Sequence, residues 1–172
     1  MSVNEVYTDK LQVGDGTSED SVMAVYGSSY FANTTIFAGP IHTRGIFETA
    51  SVNTSVVLIG NVNINILEGV VYYFTQPAAG PWVFNVRGNA NTSVDSLLSV
   101  GESLTLALGC TQGPQGYVSD EILVDNVVVY PKWQGGSTPT VGSNSSVDMY
   151  TFTLIKTASR QYTAFASQTR FA

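Results

Sequence analysis

The chain has 172 residues, only 12% of them charged, and a formal net charge of −6. Ser, Thr and Asn supply 47 residues, so the polar surface is largely uncharged. This excludes a coiled coil, which needs Glu, Lys and Leu, and a disordered tail, because 44% of the residues are hydrophobic. Seven Lys and Arg against 13 Asp and Glu also argue against a nucleic-acid binder. Val occurs 22 times and aromatics reach 11%, which favours strands over helices.

The first residues, Met1-Ser2-Val3-Asn4-Glu5, contain no basic stretch followed by an apolar one. The expectation is a soluble chain without a leader, made in a cytoplasm. Residues 1–20 hold five acids (Glu5, Asp9, Asp15, Glu19, Asp20) and one base, Lys10. Residues 21–48 alternate short β-like bursts with glycines such as Gly27, Gly39 and Gly45. A segment of this kind cannot build its own core, so residues 1–50 read as an anchoring or intertwining arm. Residues 51–172 read as a projecting β domain.

Strand signals strengthen after residue 52. In 61–66, Val62, Ile64 and Ile66 share one face. Residues 70–75 follow the turn at Glu68-Gly69. In 82–87, Trp82, Phe84 and Val86 point inward. Residues 93–98 alone look helical, with Thr92 or Ser93 as cap and Gly101 as stop. Leu104, Leu106 and Leu108 share a face in the next strand, which ends at Cys110. Residues 127–130 form an apolar run stopped by Pro131. Tyr150, Phe152 and Leu154 share a face in 147–155, and 161–167 is the last strand. Such spacing predicts an all-β fold: an antiparallel β-sandwich or jelly-roll-like domain behind an extended, β-containing N-terminal arm.

Little catalytic material is present. The single cysteine, Cys110, reads as a buried small hydrophobe. The single histidine, His42, cannot build a zinc site or a triad without partners, so it reads as structural. Asp120, Glu121 and Asp125 sit around one turn, and a carboxylate pair across a sugar is the one catalytic arrangement they suggest. A solvated turn explains them better. No metal or cofactor is expected, and the chain reads as non-enzymatic. Sequons at Asn33, Asn53, Asn91 and Asn144 follow from the composition and are expected to stay unmodified.

The candidate ligand or interface residues are Tyr130, Lys132, Trp133 and Gln134, with Tyr117. Pro131 stops a strand and Gly135-Gly136 opens a loop, which places Trp133 at a strand end. There an indole flanked by Lys and Gln would stack on a sugar ring. The competing reading, that Trp133 closes the core or a seam between subunits, follows from the usual burial of Trp.

Several runs carry a resemblance. They include Gly60-Asn61-Val62-Asn63-Ile64-Asn65, Val71-Tyr72-Tyr73-Phe74-Thr75, Trp82-Val83-Phe84-Asn85-Val86-Arg87-Gly88, and Tyr150-Thr151-Phe152-Thr153-Leu154-Ile155-Lys156-Thr157. The most specific are Pro131-Lys132-Trp133-Gln134-Gly135-Gly136 and Ala166-Ser167-Gln168-Thr169-Arg170-Phe171. From residue 61 onward the chain resembles virion structural proteins of tailed bacteriophages, especially a fibre-tip module of large marine phages. The resemblance implies a non-enzymatic virion component, a short fibre or surface appendage without a long shaft. Fibre-like architecture implies a homotrimer. The implied partners are other copies of the chain, other virion proteins through the N-terminal segment, and host surface polysaccharide. Nucleic acid and membrane insertion are not implied. Two alternatives stay open: a capsid decoration or cement protein, and a carbohydrate-binding module.

Overall fold

The computed structural model describes residues 40–41, 43–119 and 121–171. The arm expected over 1–50 therefore lies mostly outside the described residues, as do His42 and Asp120. The chain divides into two units, Met1–Gly45 and Ile46–Ala172. The described residues of the first carry no helix or strand. The second is a two-sheet β structure.

Its strands are β1 (Ser51–Asn53), β2 (Gly60–Asn65), β3 (Val71–Phe74), β4 (Trp82–Arg87), β5 (Ser103–Thr111), β6 (Ile122–Val124), β7 (Val127–Val129), β8 (Lys132–Trp133), β9 (Val147–Ala158) and β10 (Gln161–Phe171). One short helix, α1 (Val94–Leu97), interrupts them; the Ser93 hydroxyl accepts the Ser96 N–H as its N-cap. A six-stranded sheet runs β1-β3-β5-β9-β10-β8 and a four-stranded sheet runs β2-β4-β6-β7. Each strand keeps its alternation, so apolar side chains fall on one face and meet those of the other sheet. Rings cross the layer gap: Phe84 of β4 lies 6.0 Å from Phe74, and 6.4 Å from both Tyr150 and Phe152.

The direction of pairing corrects the expected antiparallel sandwich. From β1 to β6 the chain steps from one sheet to the other at every strand. Strands next to each other in a sheet are then two apart in the chain and point the same way. Thus β1–β3, β3–β5, β2–β4 and β4–β6 are all parallel. Only the later strands return antiparallel, in β5–β9, β9–β10 and β6–β7. The β6–β7 hairpin turns on Asp125 and Asn126, both at positive φ (51° and 66°), the requirement of a tight two-residue turn.

Parallel in-register stacking builds an amide ladder. Asn85 Nδ2 donates to Asn63 Oδ1 at 2.8 Å and to Asn126 Oδ1 at 2.9 Å, while Asn126 N donates to Asn85 Oδ1. Arg87 Nε donates to Asn65 Oδ1 in the next paired row. These bonds satisfy Asn85, which is buried.

Among the described residues the coil leaves one end open, with β1 and β2 as edge strands, one in each sheet. Between them lies a cavity of about 330 Å³ whose wall includes Val56, Val57, Ile59 and Asn63, with the rings of Tyr72 and Phe74 also lining it. Val52, Val56, Val57 and Ile59 are exposed there.

Candidate functional site

The residues predicted to form a binding platform separate into two places. β8 is a two-residue edge strand, paired parallel to β10 with Lys132 opposite Phe165 and Trp133 opposite Ala166. Alternation then sends Trp133 inward and Lys132 outward. Trp133 is 9% exposed, and its ring lies 5.9 Å from Phe152 and 6.4 Å from Tyr150, edge to face. Its ring packs edge to face against these core rings, and the residue also stands in the lining of the groove beside Phe165. The aromatic presented to solvent beside it is Phe165, 46% exposed, with Lys132 Nζ 5.8 Å from its ring centroid. Lys132, Gln134, Thr151, Thr153 and Phe165 line an open groove of about 460 Å³. Tyr130, 79% exposed, does not line it.

Tyr117 belongs to the other place, where the loop after β5 meets the loop before β9. Gln112 holds it from both sides: Gln112 Nε2 donates to Tyr117 O at 2.7 Å, and Tyr117 N donates to Gln112 Oε1 at 3.0 Å. At the centre is Asp148, a fully buried carboxylate (0% exposed). No cation neutralises it through a salt bridge among the described residues. N–H groups do the work: Gln112 Nε2 at 2.9 Å, Gln168 Nε2 at 3.1 Å, and Ser143 N at 3.1 and 3.2 Å from its two oxygens. A carboxylate only accepts, so this donor set suits it. Gln168 Nε2 also reaches the Tyr150 hydroxyl, and Ser119 N donates to the same oxygen.

This setting removes reactivity. Burial, and then the nearby Asp148, pushes the Cys110 thiol up, so the thiolate is suppressed. Burial likewise pushes the Tyr150 phenol well above its ordinary value. Asp125 is engaged elsewhere: its two oxygens accept from Val94 N at 2.8 Å and Asp95 N at 3.0 Å, at the start of α1. Glu121 is half-buried. Among the described residues no three His, Cys, Asp or Glu side chains group as a metal site. No helix among them is long and apolar enough to cross a membrane.

Sequence reasoning missed Phe165 and Asp148. Phe165 had a signal, because it alternates with Ala164 and Ala166 and so faces away from them. Asp148 had none: a single acid in the run Val147-Asp148-Met149-Tyr150 gives no hint of its three donors. No family model, curated protein or solved structure matches this chain.

Proposed function

We propose that the chain is a structural protein of a tailed-phage particle, a homotrimeric short fibre or surface appendage that copies of the chain build by covering one another's open end. The carrying observation is that open end. Among the described residues both sheets stop at edge strands on the same side, and Val56, Val57 and Ile59 stand with asparagines around the cavity between them. Unpaired edges of this kind invite another strand, and folded proteins normally cover or charge them. Here the lining has one ionisable acid, Glu68, and it accepts from Asn65 Nδ2 at 2.9 Å. Copies that each carry a net charge of −6 meet here with little repulsion. The resemblance to phage virion proteins supplies the particle. The N-terminal segment is the proposed attachment to other virion proteins.

Two measurements test this. Light scattering on the purified full chain should give a trimer, and Val57→Glu with Ile59→Glu should return it to monomer with its β spectrum intact. A wild-type monomer at tens of micromolar would overturn the oligomer. Imaging of intact particles then places the protein. Density at the tail, neck or a fibre tip supports the appendage, whereas density across the capsid lattice replaces it with decoration or cementing.

A further inference from the structure

A second cavity, of about 710 Å³, opens beside the Asp148 cluster, and every residue that lines it is of a polar type. Ser143, Asn144, Ser145 and Ser146 form one wall, and Thr169 and Arg170 of β10 stand in the lining with them. The serine wall is fixed in place. Ser143 N is held by Asp148, Ser145 N donates to Gly113 O at 2.7 Å, and Gln112 N donates to Ser146 O at 2.8 Å. Gly116 N donates to Asn144 Oδ1 at 3.0 Å. Gly116 and Gly142 let the two loops touch: a Cβ on Gly142 would run into Tyr117 O, and one on Gly116 into Gly142 O. Ser145 is held at φ 50°, a left-handed conformation that a serine adopts only where its surroundings impose it.

This order leaves unused donors aimed at one space. Asn144 spends its carbonyl oxygen on Gly116, and its amide N–H groups have no acceptor among the described residues. Arg170 is exposed and forms no ion pair; the salt bridge among the described residues is Lys156–Asp95. A rigid wall of hydroxyls with one amide and one free guanidinium matches a polyhydroxylated ligand that carries an anion. Arg binds a carboxylate through two parallel N–H groups. One guanidinium balances one charge, so a monoanion suits the site better than a dianion such as a phosphate monoester.

We infer that the cavity between the 143–146 loop and the end of β10 binds a carboxylate-bearing sugar of an acidic polysaccharide, with Arg170 on the carboxylate and Asn144, Ser143 and Ser145 on ring hydroxyls; the Ser146 hydroxyl is committed to Phe171 O. The site does not rest on the virion reading. A chain that proves monomeric tests it equally well.

The test is calorimetric titration of the full chain with an oligoglucuronate tetramer, a neutral glucose tetramer and sodium acetate. The acidic tetramer should bind at least about tenfold more tightly than the neutral one, and added salt should weaken it. Arg170→Gln should lose about tenfold in affinity with an unchanged melting temperature, because the side chain is exposed and unbonded. Asn144→Asp, which sets a carboxylate against the ligand's own, should abolish binding even if the first variant folds poorly. Equal binding of the two tetramers overturns the assignment, as does full affinity in Arg170→Gln. Acetate that binds as tightly as the acidic tetramer reduces the site to an anion hole and overturns the sugar. Absence of binding at millimolar tetramer ends the proposal.

Discussion

Two buried regions of this molecule are held by opposite physics. Between the sheets, Trp82, Phe84, Tyr150 and Phe152 meet as stacked and edge-to-face rings about 6 Å apart. That contact is non-directional and scales with area removed from water. At the loop end, Asp148 and Gln112 are as well hidden and Gln168 is half-buried, but they are joined by directed hydrogen bonds. The first region sets how stable the domain is. The second adds little net stability, since each bond replaces one to water, but it fixes where two loops sit. Damage should therefore be global in one region and local in the other.

The largest expected effect comes from Phe84→Ala. Phe84 is fully buried and packs on four rings, so its removal should cost about 3–5 kcal/mol in denaturant unfolding. Asp148→Asn should cost about 1–3 kcal/mol, because an amide turns N–H groups toward the donors of Gln112 and Gln168. Its diagnostic result is hydrogen exchange: the Ser143 and Ser145 amides should lose protection while those of β4 keep theirs. Equal loss in both places would erase the distinction. Asn85→Ala tests a third case, a directed network inside a sheet. It removes three ladder bonds and should cost about 1–3 kcal/mol, again by denaturant unfolding.

The smallest effect is a dependence on pH. The hydrogen bond from Lys156, and then the Arg160 N–H, hold the Asp95 carboxyl below its ordinary value. A depressed folded-state value stabilises above the ordinary carboxylate value of about 4 and loses that contribution as pH falls through the folded value. Wild type should therefore exceed Asp95→Asn in melting temperature at neutral pH. The gap should close below about pH 4. A gap constant down to acid pH would assign the difference to packing at α1.

Much of the apolar region was legible in the sequence. Trp82, Phe84 and Val86 in one strand, and Tyr150, Phe152 and Leu154 in another, declare their inward face by alternation alone. The helix at residues 93–98 was legible from its serine cap. Strand partners were not, because a period of two states which way a side chain points and nothing about the neighbouring strand's direction. That is why a pair of mixed sheets looked like an antiparallel sandwich. β1, β6 and β8 are too short to show a period. The Asp148 cluster was illegible for a different reason: its members, at 112, 143, 148 and 168, meet only after the sheet has formed. Trp133 could be read as a platform or as a ring closing the core, because a proline and two glycines mark a strand end while its direction depends on pairing with Ala166.

The stepping path of the chain between sheets also bears on how fast the domain assembles. β9 and β10 join through a short turn and need to close almost no loop. Each parallel pair among β1 to β6 must wait for an intervening strand to cross to the other sheet, so about twenty residues or more separate partners. Loop entropy is lost before those pairings are rewarded, which places this architecture among slow folders of about milliseconds to seconds. The hairpin at the end of the chain is then the natural seed, and β5 docks on it before the coil winds back toward β1. The open edge beside β2 is the last part to close, so newly made chains present to one another the surface through which we propose they assemble.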